Sequence, residues 1–181
     1  MLSKKAKVLQ KLAGKSLLEH ILCSAEEISS KTSIVVGFDK LSVEKEVSKI
    51  STKAKTYEQK KQIGTADAVR TVIDSINENE KVLILYGDVP LISKNTLKTL
   101  CSLNDSISIL TTNLSDPTGY GRVIKDAKSL VVEIIEEKDA NAEQKEIKEI
   151  FTGVIAVNGK ILKELLPVSY THLTLPTISC V

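Results

Sequence analysis

The sequence predicts an α/β fold on a mostly parallel sheet, and three features carry that expectation. From Lys15 to Leu103, short β-branched runs alternate with stretches whose apolar residues recur at helical spacing, the pattern of β-α-β units joined by right-handed crossovers. Val82, Leu83, Ile84, Leu85 and Tyr86 form an unbroken apolar run, as expected of a central parallel strand covered on both faces. Beyond Leu103 the pattern turns to paired strands, which predicts an antiparallel hairpin added over one edge.

Taken in order, Met1 to Lys15 carries Lys4, Lys5, Lys7, Lys11 and Lys15 with no acid, and reads as a solvated basic arm in which Lys7 is the one lysine singled out for a role. Leu17, Leu18, Ile21, Leu22, Ala25 and Ile28 make one helical stripe, with Glu19, Glu26 and Glu27 off it. Thr32 to Phe38 reads as a buried strand, Leu41 to Ile50 as a second helix and Lys53 to Tyr57 as a strand. Gly64 and Thr65 stand at the start of a helix through Ala66, Val69, Ile73 and Ile76. After the central strand come a helix from Lys94 to Leu103, a strand from Ser106 to Leu114 and a glycine-containing loop from Asp116 to Arg122. Arg122 to Ile124 and Leu130 to Glu137 form the hairpin, Asp139 to Glu149 a surface helix, Ile150 to Val157 a buried strand and Lys160 to Leu166 a last helix.

The chain has 181 residues, enough for one domain with a real core, and its 42% hydrophobic and 27% charged residues place it among globular proteins. A net charge of +2 and only 3% aromatic residues without Trp argue against nucleic acid as the partner. Cys23, Cys101 and Cys180 have neither metal nor redox spacing, and His20 and His172 are too few for a histidine metal site. No apolar stretch nears the roughly 18 residues that cross a bilayer, so a cytoplasmic protein is expected, with no membrane partner.

The chemistry gathers where the central strand stops, at Gly87-Asp88-Val89-Pro90. Glycine permits close approach, proline ends the strand, and Asp88 falls at the carboxyl edge where open α/β sheets bind ligands, a place to hold a cation beside phosphates. A plain side-chain turn before Pro90 would use the same residues. Gly64 and Thr65 could offer free N–H groups to an anion or carbonyl oxygen, or Thr65 could simply cap its helix. Gly119 and Gly121, around Tyr120, either serve a turn or let backbone amides reach a polar ligand.

Together, KVLQKLAGKSLLEHI from Lys7, Gln59 with Gln62-Ile63-Gly64-Thr65-Ala66, LYGDVPLI, DPTGYGR, IIEEKDA and Thr152-Gly153 resemble one family, the sugar-1-phosphate nucleotidyltransferases. Within it the chain is most similar to the uridyltransferase half of the bifunctional bacterial enzymes that make the cell-wall precursor UDP-N-acetylglucosamine, from Lys7 to about Pro167. The resemblance implies a Rossmann-like sheet of the nucleotide-diphospho-sugar transferase type over residues 1–167, and transfer of UMP from UTP to N-acetylglucosamine 1-phosphate. It implies that Lys7 neutralises triphosphate charge, that Gln59 and Gly64 read the uracil edge beside Thr65, and that Tyr86 and Gly87 line the sugar end. Asp88 would hold Mg²⁺, and Gly121 and Glu136 would bind the sugar. The sugar phosphate would attack the α-phosphorus in line without a general base, since a phosphate monoester is already ionised near neutral pH.

The chain departs from this family in three places. The apolar first strand and glycine-rich phosphate loop that open the family are not matched, which predicts unpaired strand edges and weak turnover by the chain as written. Phe151 stands where the family pattern has an Asn that binds the sugar. Val168 to Val181 resembles no part of the family and reads as translated adapter sequence; the second metal ligand and the β-helix through which full-length relatives trimerise would lie beyond it. Two other readings remain: a guanylyl-, thymidylyl- or cytidylyltransferase of the same fold, and a non-catalytic nucleotide-sugar-binding domain.

Overall fold

The structure, a computed structural model, describes residues 5–61 and 63–166 and the backbone of 178–180. The chain divides into two compact units, Met1–Asn77 with Tyr86–Lys98, and Glu78–Leu85 with Thr99–Val181.

The first unit opens with a 3-10 turn, Lys7–Leu9, and a small hairpin of β1, Lys11–Leu12, and β2, Lys15–Ser16. Ala13 at φ 49° and Gly14 at φ 86° supply the left-handed pair that a tight two-residue hairpin turn requires. The expected solvated arm is therefore corrected in part. Lys5, Lys7, Lys11 and Lys15 are exposed, but Ala6 and Leu9 are buried and anchor the segment. α1, Leu17–Glu26, starts where the Ser16 hydroxyl accepts the Glu19 N–H, and buries Leu18, Ile21 and Leu22, the stripe expected from spacing. β3, Ser33–Val36, crosses through α2, Lys40–Ile50, to β4, Lys55–Glu58, and the two strands pair in parallel as the β-α-β pattern predicts. In β3 only Val36 is buried, so the strand is less enclosed than its composition suggested.

α3, Thr65–Arg70, is shorter than expected, and a 3-10 turn at Ile73–Ser75 replaces its second half. Three β-branched residues in a row, Thr71, Val72 and Ile73, disfavour continuation, and the Thr71 hydroxyl donates back to the Ala68 carbonyl at 2.7 Å.

The second unit is built on a six-stranded mixed sheet. Its strands are β5, Lys81–Ile84; β6, Ile107–Asn113; β7, Arg122–Lys125; β8, Val131–Ile135; β9, Glu149–Asn158; and β10, Ile178–Cys180. Their order is β5-β9-β6-β10-β8-β7, with β7 also touching β9. β7 and β8 are the antiparallel hairpin the sequence predicts. The helices are α4, Lys94–Ser102, which runs from the first unit into the second, α5, Ala142–Lys145, and α6, Gly159–Leu165. Lys81 closes the end of α4, donating to the carbonyls of Leu103 at 2.8 Å and Asp105 at 2.7 Å.

Two expectations are corrected here. The central parallel strand is β5, at the end of the sheet order, half-buried and paired antiparallel with β9. An unbroken apolar run reports enclosure on two faces but carries no information on which neighbour pairs or in which direction. Among the described residues, parallel pairing is confined to β3–β4 and β6–β10, so the α/β class holds as a mixed one. The surface helix expected over Asp139 to Glu149 is a single turn, bounded by a reciprocal cap between Asn141 and Gln144. Ile150 belongs to β9, as expected, and is buried there.

Of the segment 168–181, residues 168–177 and 181 lie outside the described residues, while Ile178–Cys180 pairs with β6 and β8. No described helix is long and apolar enough to cross a membrane. Leu100, fully buried on α4, is a test of the second unit's core. Leu100→Ala is expected to lower stability by about 2–5 kcal/mol, read by chemical denaturation, as a deleted branched side chain leaves a cavity that closes only in part.

Candidate active site

After β5 and Leu85 the chain enters the first unit and turns at Tyr86–Val89, where the Val89 N–H donates to the Tyr86 carbonyl at 3.3 Å. The turn presents Asp88, and Lys7 Nζ donates to its Oδ2 at 2.8 Å from 81 positions away in sequence. With side chains 70% and 32% exposed, the pair adds little stability, so its consequence is positional: an ammonium and a carboxylate share one spot at the mouth of the turn. The carboxylate meets Lys7 rather than its own turn, which sets aside the plain-turn reading of Asp88.

Neighbouring residues explain how Lys7 gets there. The Ala6 N–H donates to Asp39 Oδ2 at 3.2 Å, tying the entering segment to the start of α2. Bonds from the Ser42 hydroxyl and then the Ala6 amide hold the Asp39 carboxyl below the usual range. Gly87 matters for space: a Cβ there would sit 3.1 Å from Val8 Cγ1 and 3.6 Å from Leu18 Cδ1, so glycine lets the Asp88 turn close on the Lys7 segment.

Beside it, Thr65 Oγ1 and Tyr86 Oη lie 2.9 Å apart. Gly64, at φ 120°, is the N-cap of α3, and Thr65 is the first helical residue; the expectation of a Thr65 cap is corrected, its hydroxyl bonding across to Tyr86 instead. Gln59 Nε2 donates to the Gly64 carbonyl and to Asp67 Oδ2, both at 3.0 Å. Thus Lys7, Gln59, Gly64, Thr65, Tyr86, Gly87 and Asp88 all fall in the first unit, linked as Lys7–Asp88, Gln59–Gly64 and Thr65–Tyr86. Gln62 lies outside the described residues. Gly64→Ala is expected to destabilise by about 1–2 kcal/mol in thermal melts, because space is open around the site and only the left-handed backbone resists a side chain.

The remaining two residues, Gly121 and Glu136, meet in the second unit. A Cβ on Gly121 would lie 3.2 Å from Ile134 Cγ2 and 3.7 Å from Glu136 Oε1, and Glu136 is exposed just past β8. The Phe151 N–H donates to the Gly121 carbonyl at 3.0 Å, so this loop is docked on β9 through the backbone and needs no particular side chain at 151. Thr152 and Gly153 mark an irregularity in the β6–β9 ladder. Gly153 takes φ 87°, and Thr152 Oγ1 donates to the Leu110 carbonyl at 2.8 Å.

Arg122 and Glu137 were not singled out by the sequence, yet they organise the same loop. Arg122 is 1% exposed; its Nη2 lies 2.6 Å from Glu137 Oε2, and its Nη1 donates to the Tyr120 carbonyl. Glu137 also accepts the Gly119 N–H at 3.4 Å. The Arg122 hydrogen bond is the main reason the Glu137 carboxyl lies below its usual range. At Glu149 burial works against the charged form, but bonds from Lys125 and Thr111 outweigh it and the carboxyl again lies low.

Asp39, Glu137 and Glu149 thus bind protons less readily folded than unfolded. Their contribution is complete above the ordinary carboxylate values of 3.8 and 4.5 and is lost as pH falls through the depressed folded values. Melts are expected to be flat from pH 7 to about 5 and to fall steadily below about 4.5; a melting temperature that rises on acidification would contradict these contacts.

For a cation, the described residues contain no cluster of three or more His, Cys, Asp or Glu. Asp88 supplies a single hard oxygen donor set, which fits magnesium, an ion commonly held by one or two carboxylates together with substrate phosphates and water.

Residues 2–134 match the family described as MobA-like NTP transferase domain. Among curated proteins the chain is 45% identical over 169 residues to the bifunctional protein GlmU of Francisella philomiragia, covering 92% of this chain and 37% of that protein. It is 42% identical over 165 residues to GlmU of Methylococcus capsulatus, covering 88% and 35%. The chain thus spans about a third of the length of these relatives. Solved structures of the same fold include HddC from Yersinia pseudotuberculosis, with a TM-score of 0.73 at 14% identity over 100% of this chain and 82% of that one. UDP-glucose pyrophosphorylase complexed with UDP-glucose gives 0.70 at 18% identity, over 89% and 70%. With well over half of its length matched, carrying Lys7, Gln59, Gly64, Thr65, Asp88 and Gly121 inside the match, the chain belongs to the MobA-like NTP transferase family, a family of nucleotidyltransferases.

Proposed function

We propose that this chain transfers UMP from UTP to N-acetylglucosamine 1-phosphate, releasing pyrophosphate and forming UDP-N-acetylglucosamine in the cytoplasm. The observation that carries the reading is the 2.8 Å contact between Lys7 and Asp88, across 81 residues of chain. A nucleotidyl transfer needs charge neutralised and two substrates aligned more than it needs a protein nucleophile, and a cation beside an anion at one turn suits that need. The Lys7 ammonium takes up triphosphate charge. Gln59 and Gly64 meet the uracil, with Thr65 beside them; Tyr86 and Gly87 line the sugar end, and Gly121 and Glu136 take the sugar hydroxyls and amide. Asp88 would hold Mg²⁺, which when bound offsets negative charge on the phosphates. The ionised sugar phosphate needs no base to attack the α-phosphorus.

A second acceptor is favoured by one residue. Phe151 cannot offer the side-chain hydrogen bond of the family's Asn, so a related sugar 1-phosphate is the competing substrate.

The test joins the chain behind the glycine-rich strand and loop of a relative and follows pyrophosphate release from UTP, CTP, GTP and dTTP with N-acetylglucosamine 1-phosphate and glucose 1-phosphate. Turnover with UTP and the acetylated sugar at least tenfold above the other pairs is expected. Preference for GTP or dTTP would overturn the nucleotide assignment, and preference for glucose 1-phosphate the sugar.

A further inference from the structure

Gln59 Nε2 donates twice inside the chain, to the Gly64 carbonyl and to Asp67 Oδ2, each at 3.0 Å. Two acceptors determine which end of the amide is nitrogen, and they leave Oε1 as the atom Gln59 can offer to anything else. The two anchors differ in kind. The Gly64 carbonyl also accepts the Ala68 N–H at 3.2 Å at the start of α3, so it is a shared backbone acceptor. Asp67 is a half-buried carboxylate on the same helix, and a bond to a carboxylate is stronger than one to a neutral carbonyl. It is also the anchor a substitution can remove.

We propose that Asp67 is a positioning residue that sets base selectivity, by holding the Gln59 amide with its oxygen outward. A subsite lined by that oxygen takes a base that brings an N–H flanked by carbonyls, the imide edge of uracil or thymine. Cytosine brings a ring-nitrogen lone pair to the same place, so acceptor would face acceptor. An unrestrained glutamine would turn over and serve either base. Here turning over would aim Oε1 at the Gly64 carbonyl and the Asp67 carboxylate together, leaving three acceptors with no proton between them. The inference rests on the proposed contact between Gln59 and the base, and it adds the group that orients the contact.

The experiment has two readouts on the full chain. First, hydrogen exchange of the Gln59 side-chain amide is followed by NMR in the wild type, Asp67→Ala and Asp67→Asn. Protection is expected to drop roughly tenfold in Asp67→Ala and to survive in Asp67→Asn, whose amide oxygen can still accept. Second, UTP and CTP are titrated with magnesium into the same three proteins. UTP is expected to bind roughly tenfold tighter than CTP in the wild type and Asp67→Asn, and within about threefold in Asp67→Ala. Unchanged exchange in Asp67→Ala overturns the proposal whatever the nucleotides do. Loss of protection with an unchanged UTP to CTP ratio also overturns it, while leaving the uridyltransferase reading intact. A wild type that binds CTP as well as UTP sinks both.

Discussion

Asp88→Ala, in the chain joined to the family's glycine-rich segment, is expected to reduce pyrophosphate release by about 100- to 1,000-fold, the usual cost of removing a group that stabilises charge developing during transfer. The same substitution is expected to shift stability by less than about 1 kcal/mol, because the Lys7–Asp88 pair is largely exposed. That combination, a large loss of rate with an almost unmoved melt, separates a functional carboxylate from a structural one. Lys7→Ala is expected to follow the same pattern with a smaller loss of rate, since under the proposed function magnesium at Asp88 would share the neutralisation of the triphosphate. A rate undiminished in Asp88→Ala would mean that Asp88 is not a metal ligand.

Arg122→Ala is expected to lower stability by about 3 kcal/mol or more, or roughly 6–12 °C in melting temperature for a chain of this size. Several effects coincide at this site. The guanidinium is buried and fills volume, it is the partner of Glu137, and it holds the Tyr120 carbonyl. Truncation removes the Arg122 donor from the Tyr120 carbonyl and leaves Glu137 only the Gly119 N–H among those contacts, and it opens space where the guanidinium was packed. Arg122→Lys retains the charge but not the fork, and should recover less than half of the loss, because one ammonium cannot span Glu137, Tyr120 and Lys145 together. If Arg122→Ala melts within about 2 °C of the wild type, the Arg122–Glu137 pair does not hold this loop.

Local signals were dependable where one element's own chemistry decides the outcome. The α1 stripe, the β7–β8 hairpin and the β3-α2-β4 unit could be read because period and turn chemistry are carried by neighbours in sequence. The helix expected over Asp139 to Glu149 is a single turn because a run of charged residues carries no length information, although Asn141 and Gln144 spell the cap that marks its start. The roles of Asp39, Asp67, Arg122 and Glu137 had no comparable signal. Each looks like an ordinary surface charge until its partner is known, and their partners are set by folding rather than by spacing.

Residue types at short range suffice for the α/β class, the order of most elements and the resemblance that singles out Lys7, Gln59, Gly64 and Asp88. Folding adds what spacing does not carry: β5 pairs antiparallel with β9, Lys7 reaches Asp88, and Gln59 donates to Asp67. The physical reason is that hydrogen bonds and ion pairs act over about 3 Å whatever the distance along the chain, so a contact between residues 81 positions apart leaves no period for a sequence to display.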